Sequence, residues 1–166
     1  VSAYLATHRG TLSRRVDLHD ERWWRLFRTG AATSAHRVAW GDLARRLEAT
    51  LVVDADVIPI NSCYVAALPS AIAAKSLTAW LNSSWIRALA RLRAEPAAGG
   101  AARFGARAVG TVPLPPAVLG HPLLVTLTDS APTQDVQATL DHCAAELLGL
   151  SRDECTLLAT LASDSR

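Results

Sequence analysis

The sequence predicts an α+β fold: a small mixed β-sheet with packed helices and a pair of helices at the C-terminal end. Three observations predict it. Alternating or β-branched runs that are typical of strands fall within residues 36–66. Apolar residues recur at a helical spacing over residues 70–94. Two more segments with helix start and stop signals lie within residues 134–162.

The pattern of residues in the N-terminal segment, up to residue 28, predicts two helices. Apolar residues recur on one face over Ala3–Arg15, with arginines on the other face. Asp20 can cap a second, short helix, Glu21–Arg28, which carries two adjacent tryptophans. We expect residues 30–35 to form a loop that leads to the strands.

Three strands are expected in the middle of the chain. Residues 36–40 alternate between side chains of different polarity, and residues 50–53 and 61–66 are β-branched or apolar runs bounded by Asp, Pro and Asn. Between the first and second strands, we expect a short helical turn after Asp42.

The helical region that follows has clear boundaries. Ser70 can cap its start, and the run Asn82-Ser83-Ser84 is expected to break it. Pro96 and the pair Gly99-Gly100 are expected to end it. Over residues 101–110 we expect a short strand and a turn, followed by an extended segment stiffened by prolines.

The C-terminal helical pair begins after a loop. Thr133 can cap a helix over Gln134–Leu148, and Gly149 can end it. Ser151-Arg152-Asp153-Glu154 has the pattern of a capping box, which predicts a last helix through Leu161.

Length and composition limit the class of protein. The chain has 166 residues, half of them hydrophobic, which is enough for one domain with a core and a small helical appendage. No apolar run approaches the roughly 20 residues that span a bilayer, so we expect a soluble protein without a membrane partner. The chain lacks Met and begins with Val1, which predicts a fragment of a longer protein. Three scattered cysteines predict buried free thiols in a reducing cytoplasm.

Charge is distributed unevenly along the chain. Residues 1–110 contain fifteen Arg and Lys against eight Asp and Glu, whereas residues 111–166 contain two against seven. The basic part is almost purely arginine, whose guanidinium suits phosphate groups and guanine edges. An arginine bias with abundant Ala also follows from a GC-rich genome, so composition indicates an anionic partner without establishing one.

The sequence lacks the motifs of common active sites. No Gly-x-Gly loop follows a strand, and there is no Gly-x-Ser-x-Gly or His-Glu-x-x-His motif. The acidic pairs Asp54/Asp56 and Asp153/Glu154 are explained by a turn and by a favourable first helical turn. No two histidines have the short spacing of a zinc site. We therefore expect no catalysis, no cofactor and no metal in this chain alone.

Two features with basic residues are candidates for contact with nucleic acid. Arg87 and Arg91 lie one helical turn apart, so that their guanidinium groups point the same way; a solvated helix face is the alternative. The pair Gly99-Gly100 leads to Arg103 and Phe104. Glycines let a backbone approach a phosphate closely, and Arg103 would neutralise it. The alternative is an ordinary loop with Phe104 in the core.

A third candidate is the break in the helical region. Asn82 and Ser83 carry polar groups that can contact phosphate or cap the next helix, and capping is favoured. The residues predicted to bind DNA are Arg87, Arg91, Arg103, Arg107, Asn82, Ser83, Gly99, Gly100 and Lys75.

Short segments in a characteristic order cover residues 3–116, about two thirds of the chain. They are Tyr4-Leu5, His8-Arg9, Leu12, Arg15, Trp24-Arg25-Leu26-Phe27-Arg28, Arg37-Val38-Ala39-Trp40, Asp42-Leu43-Ala44, Asn61-Ser62-Cys63-Tyr64-Val65, Leu81-Asn82-Ser83, Arg87, Arg91, Ala94, Gly99-Gly100, Arg103-Phe104, Val109-Gly110 and Pro113-Leu114-Pro115. Together they resemble the TaqI-like C-terminal specificity domain of adenine-N6 DNA methyltransferases, a family that includes fused restriction–modification enzymes.

The resemblance implies a division of labour between domains. In such enzymes an N-terminal Rossmann-like domain binds S-adenosylmethionine and carries an Asn-Pro-Pro-Tyr type motif for the flipped adenine, while the C-terminal domain grips the duplex and reads its sequence. This chain has no such motif, since neither of its asparagines, Asn61 and Asn82, precedes a proline. The resemblance therefore implies a DNA-recognition fragment, with the catalytic domain and its cofactor upstream or on another chain.

The same resemblance implies two parts of the chain. Residues 1–116 would be the DNA target-recognition domain, and residues 117–166 an acidic helical extension that packs on it or on the catalytic domain. Duplex DNA and the methyltransferase catalytic domain are the expected partners. Two other interpretations remain open, namely a protein–protein interaction module and a separate specificity subunit of a multi-subunit system.

Overall fold

The computed structural model describes residues 2–15, 23–24 and 30–163, with side chains described to residue 160. Within these residues the fold is α+β, as predicted, with eight α-helices and two small three-stranded antiparallel sheets. The strands are β1 (Arg37–Gly41), β2 (Leu43–Ala44), β3 (Ala49–Val52), β4 (Cys63–Ala67), β5 (Glu95–Pro96) and β6 (Ala102–Arg103). The helices are α1 (Ser2–Thr7), α2 (Arg9–Leu12), α3 (Ala71–Asn82), α4 (Ser84–Arg93), α5 (Ala106–Gly110), α6 (Pro122–Thr128), α7 (Gln134–Leu148) and α8 (Arg152–Ser163). None of these described helices combines the length and the apolar character that crossing a membrane requires.

The N-terminal segment differs from the single helix predicted over Ala3–Arg15. It forms two short helices, α1 and α2, because the backbone leaves the helical path at His8, two residues before Gly10 with its low helix propensity. The helix predicted over Glu21–Arg28 lies outside the described residues, apart from residues 23–24.

The first sheet contains the three predicted strands in the order β3-β1-β4. It is antiparallel throughout, so the prediction of a mixed sheet was wrong. The connection between β1 and β3 is too short for the crossover that parallel neighbours need. The central strand β1 is buried on both faces from Arg37 to Trp40.

Arg37 is a buried guanidinium held by backbone carbonyls. Its Nη1 donates hydrogen bonds to the carbonyl oxygens of Ala32, at 2.6 Å, and Val57, at 2.8 Å, and its Nη2 donates to the carbonyl oxygen of Asp54. These bonds offset the cost of burying a charge and fasten two loops to the sheet.

The second sheet, with the order β2-β6-β5, replaces the helical turn predicted after Asp42. Leu43 pairs with Arg103 and Ala44 with Ala102, and the Phe104 N–H donates to the Asp42 carbonyl at 2.6 Å. The turn prediction was wrong because these strands are stabilised by pairing with a segment far along the chain, which local sequence does not reveal.

The start and the break predicted for the long helical region are confirmed. Ser70 caps α3, and its Oγ accepts a hydrogen bond from the Ala73 N–H at 3.1 Å. Ser83 ends α3 and caps α4. Trp80 in α3 is fully buried, and its Nε1 donates to the Pro113 carbonyl at 2.9 Å. This bond fixes the proline-rich segment beneath α3.

The C-terminal helical pair is confirmed as α7 and α8. Gly149 ends α7 with a φ of +67°, a left-handed conformation that favours glycine. Ser151 and Glu154 form the predicted capping box: the Ser151 N–H donates to Glu154 Oε2 at 2.8 Å, and the Glu154 N–H donates to Ser151 Oγ at 3.3 Å.

Two short helices lie where the sequence predicted no helix. The segment expected to be a loop before Thr133 contains α6, which begins at Pro122 and buries Leu124 completely. The expected turn after β6 is the helix α5, which buries Val109. Both helices are too short to be stable alone, so packing against the core accounts for them.

One hydrophobic core spans both parts of the chain that the sequence distinguished. Leu124, Leu140 and Cys143 belong to the same buried cluster as Trp80 and Ile86. The extension over residues 117–166 therefore packs, in its described part, on the preceding residues.

Asp141 in α7 adds hydrogen bonds to the apolar packing between residues 1–116 and residues 117–166. Its Oδ1 accepts a hydrogen bond from the Ser84 N–H at 2.7 Å and another from Gln137 Nε2 at 2.9 Å. Trp85 Nε1 donates to the Asp141 carbonyl at 2.7 Å. A carboxylate at the first residue of α4 is favourable because it satisfies a free helix amide and complements the helix dipole.

Candidate nucleic-acid interface

A small hairpin made of β5 and β6 forms one edge of the candidate interface. Glu95 pairs with Arg103, and the tip of the hairpin carries Gly99 and Gly100, with φ of +68° and +76°. Both glycines are exposed, and glycine adopts this conformation without strain. Arg91 Nη2 donates to the Gly100 carbonyl at 3.1 Å and so ties the tip of the hairpin to α4.

An open cleft of about 490 Å³ lies between this hairpin and α5. Its charged lining residues are Arg93, Glu95, Arg103 and Arg107, and Gly105 forms part of its wall. We call this surface the basic cleft. Its three guanidinium groups face one carboxylate, so the lining carries an excess of positive charge.

The three arginines of the basic cleft differ in their partners. Arg103 forms an ion pair with Asp42, and its side chain is 52% exposed. Among the described residues, Arg93 Nη1 donates only to the Leu89 carbonyl of its own helix, at 3.1 Å. Arg107 makes no hydrogen bond or ion pair to the part of the chain that the structure describes. Arg93 and Arg107 thus keep their charge available to an anionic ligand.

Arg87 and Arg91 do not share a ligand-facing surface, although they lie one helical turn apart. Arg87 Nε donates to the Leu47 carbonyl at 3.0 Å, and its Nη2 donates to Asn82 Oδ1 at 3.0 Å. Burial lowers the pKa of the Arg87 guanidinium, and the nearby charge of Arg46 lowers it further. Its hydrogen bonds give Arg87 a structural role in holding the loop before β3.

Asn82 binds the first residue of β3 from the end of α3. Its Oδ1 accepts from the Ala49 N–H at 3.0 Å, and its Nδ2 donates to the Ala49 carbonyl at 2.7 Å. An amide side chain thereby makes both hydrogen bonds that a neighbouring strand would make at this residue. These hydrogen bonds indicate that Asn82 stabilises the fold.

Ser83 and Lys75, also predicted as DNA contacts, lie away from the basic cleft. Ser83 is fully buried, and its hydroxyl donates to the Trp80 carbonyl at 2.9 Å while capping α4. A buried, engaged hydroxyl cannot reach DNA in this conformation. Lys75 in α3 pairs with Asp129 at 2.5 Å and so joins α3 to the end of α6.

A second groove, of about 530 Å³, lies between β3, α3, α6 and α7. We call it the β3 groove. Its charged lining residues are Arg46 and Arg87, and its apolar ones include Leu51 and Val136. Arg46 pairs with Glu48 at 2.6 Å, so both arginines of this groove are engaged within the protein.

Sequence reasoning missed Arg93 and Glu95 as lining residues of the basic cleft. Their positions in the fold explain why they line the cleft. Arg93 is the last residue of α4, and Glu95 begins the strand that pairs with Arg103. The sequence places Arg93 off the helix face that Arg87 and Arg91 share. What it could not reveal is that β6 returns to this side of α4.

The buried Cys143 is not an activated nucleophile. Cys143 is buried, as predicted, whereas Cys63 and Cys155 are partly exposed, and all three are free thiols. Cys143 Sγ lies 3.9 Å from His121 Nδ1, but burial and the negative charge of Glu146 raise the pKa of the thiol. A raised pKa disfavours the reactive thiolate.

Within the described residues, no group of three or more His, Cys, Asp and Glu side chains is arranged to hold a metal ion. Comparison of the chain with protein-family models, with curated proteins and with solved structures finds no match in any of the three.

Proposed function

We propose that this chain is the DNA-recognition part of an adenine-N6 DNA methyltransferase of the restriction–modification type, and that it grips duplex DNA at the basic cleft. The observation that carries the proposal is the convergence of Arg93, Arg103 and Arg107 on one open surface beside a glycine-tipped hairpin. Arginines suit phosphate because the guanidinium donates two parallel hydrogen bonds and keeps its charge. The resemblance supplies the enzyme class.

In this proposal the chain supplies binding energy and orientation, and chemistry belongs elsewhere. Phosphate contacts in the cleft hold the duplex in register and release counterions. The binding energy offsets the few kcal/mol that flipping an adenine out of the stack costs. The catalytic domain, present in the same protein or on a second chain, binds S-adenosylmethionine, and this chain binds no cofactor. A cytoplasmic location agrees with a DNA substrate.

The β3 groove favours the alternative of a protein–protein interaction module, because it offers apolar side chains beside an edge strand. We rank this function second, since Arg46 and Arg87 in that groove already have partners, whereas Arg107 in the basic cleft has none among the described residues. A separate specificity subunit would bind DNA in the same way and differs only in how the catalytic domain is connected.

Binding of a fluorescein-labelled duplex, measured by anisotropy over a series of salt concentrations, tests the proposal. We expect Arg107→Ala to weaken binding and to lower the magnitude of the salt slope by about 0.9, as for the loss of one phosphate contact. Arg152→Ala is the matched control, because Arg152 is an exposed arginine on α8. Equal, negligible effects of both variants would refute the cleft assignment and move the protein-binding function ahead.

A further inference from the structure

Tyr64 has an aromatic ring held by a neighbouring ring and a hydroxyl without a hydrogen-bond partner among the described residues. It lies on β4 directly opposite Trp40 on β1, and the two rings stack with centroids 6.1 Å apart and planes inclined by 22°. Trp40 Nε1 donates to the Phe104 carbonyl at 2.8 Å, which anchors the inner member of the pair. The ring of Tyr64 is therefore oriented by a neighbour that is itself buried and hydrogen-bonded.

The hydroxyl of Tyr64 lies close to Gly105, which is a lining residue of the basic cleft. A Cβ atom built on Gly105 would lie 3.6 Å from Tyr64 Oη, and Gly105 belongs to the wall of the cleft, between Arg103 and Arg107 in sequence. Tyr64 is half-buried, and its hydroxyl forms no hydrogen bond to the part of the chain that the structure describes.

We propose that the Tyr64 hydroxyl donates a hydrogen bond to a phosphate oxygen of DNA bound in the basic cleft. This inference rests on the proposed function and adds a neutral hydrogen-bond donor to the arginines of the basic cleft. One face of the ring is covered by Trp40, so the hydroxyl is the group best placed to reach a ligand. Because the ring is already held, little side-chain entropy is lost when the bond forms.

A neutral donor has a thermodynamic signature that an arginine lacks. Replacing Tyr64 by Phe removes one hydrogen bond to an anion and no charge, so affinity falls while the number of released counterions stays the same. We expect the dissociation constant of Tyr64→Phe to rise about tenfold, with an unchanged salt slope. Arg107→Ala, in contrast, should reduce the slope.

The experiment compares Tyr64→Phe with Tyr4→Phe in the full chain, using two labelled duplexes of unrelated sequence. Tyr4 is the only other tyrosine of the chain and is 69% exposed on α1. We expect weaker binding for Tyr64→Phe alone, by the same factor on both duplexes, because a phosphate contact carries no sequence information. The thermal midpoint should stay at the wild-type value, since the hydroxyl has no partner among the described residues.

Several outcomes would overturn the inference, and one would overturn the proposed function instead. Wild-type affinity for Tyr64→Phe, together with weakened binding by Arg107→Ala, refutes the Tyr64 contact and leaves DNA binding intact. A lowered thermal midpoint would assign the hydroxyl a structural role. A loss confined to one duplex would refute the phosphate assignment. If the wild-type chain binds neither duplex in a salt-dependent way, the proposed function fails first.

Discussion

The carboxylate of Asp42 and the guanidinium of Arg103 form an ion pair beside the basic cleft, and this pair neutralises one of the three arginines that line it. Asp42 is the less exposed partner, at 19%, against 52% for Arg103. The position of Asp42 follows from the second sheet, where the Phe104 N–H donates to its carbonyl oxygen. Charge in the cleft is thus set partly by a residue that lies outside it.

Asp42→Asn is expected to strengthen duplex binding. Removing a negative charge a few ångström from a bound phosphate relieves a repulsion of about 1 kcal/mol in water, so affinity should rise about fivefold. The measurement is the dissociation constant at low salt. Asp129→Asn removes the same charge where it pairs with Lys75, away from the cleft, and should leave affinity nearly unchanged. An equal rise in affinity for both variants would show that the effect comes from net charge alone.

Asn82→Ala is expected to destabilise the fold by about 2–3 kcal/mol, because partly buried groups of Ala49 and Arg87 lose their partner. Urea denaturation gives the free energy of unfolding. Asn61→Ala, at an exposed turn residue and the only other asparagine, serves as the control and should change it little. A stable Asn82→Ala protein that has lost DNA binding would restore the sequence-based hypothesis of a DNA contact.

Gly99→Ala and Gly10→Ala should have opposite effects on stability. Gly99 has a positive φ at the hairpin tip, so alanine there should cost about 1 kcal/mol of strain even though space is open for its Cβ. Gly10 lies in α2, where alanine should stabilise by up to about 1 kcal/mol. Thermal unfolding of both variants provides the comparison. Destabilisation by Gly10→Ala as large as that by Gly99→Ala would contradict the assigned backbone conformations.

The capping box of α8 should make stability depend on pH. Hydrogen bonds from the Ser151 backbone N–H, and then from its hydroxyl, lower the pKa of the Glu154 carboxyl. A carboxyl whose pKa is lowered on folding contributes stability above its unfolded pKa, and this contribution is lost as the pH falls through the folded pKa.

Ser151→Ala removes the hydroxyl but keeps the backbone bond, so the pKa of Glu154 should move part of the way back toward its ordinary value. An NMR titration of the Glu154 carboxyl carbon measures this change directly. The stability difference between the wild type and Ser151→Ala should be larger at neutral pH than in acid. A difference that is independent of pH would mean that the serine acts only as a helix cap.

Local signals in the sequence predicted the boundaries of the four longest helices, α3, α4, α7 and α8, to within a few residues. Ser70 and Gly149 determine the ends of their helices through contacts within a few residues, and these boundaries could be read directly. The pairing of Leu43 with Arg103 could not be read, because no local signal marks β2 as a strand or as the partner of the short strand expected over residues 101–110. The helix α6 depends likewise on the burial of Leu124.

In the candidate site, too, the sequence predicted what depends on nearby residues and missed what depends on distant ones. Arg103 and Arg107, which were both predicted to bind DNA, line one cleft. The helical spacing of Arg87 and Arg91 was read correctly, but each binds a different distant carbonyl, of Leu47 and of Gly100. Sequence spacing determines the helix face on which an arginine lies. The residues that it contacts on that face depend on the tertiary structure.

The bond between Asp141 and the Ser84 N–H joins residues 57 positions apart, and this separation has a consequence for biosynthesis. While the chain leaves the ribosome, α4 emerges together with its cap Ser83 but well before Asp141, which accepts the Ser84 N–H. The first turn of α4 therefore acquires this contact only when α7 has been synthesised. A nascent chain that stalls before α7 would expose the arginines of α4 on a helix that lacks the Asp141 contact, at the moment when ribosomal RNA is the nearest polyanion.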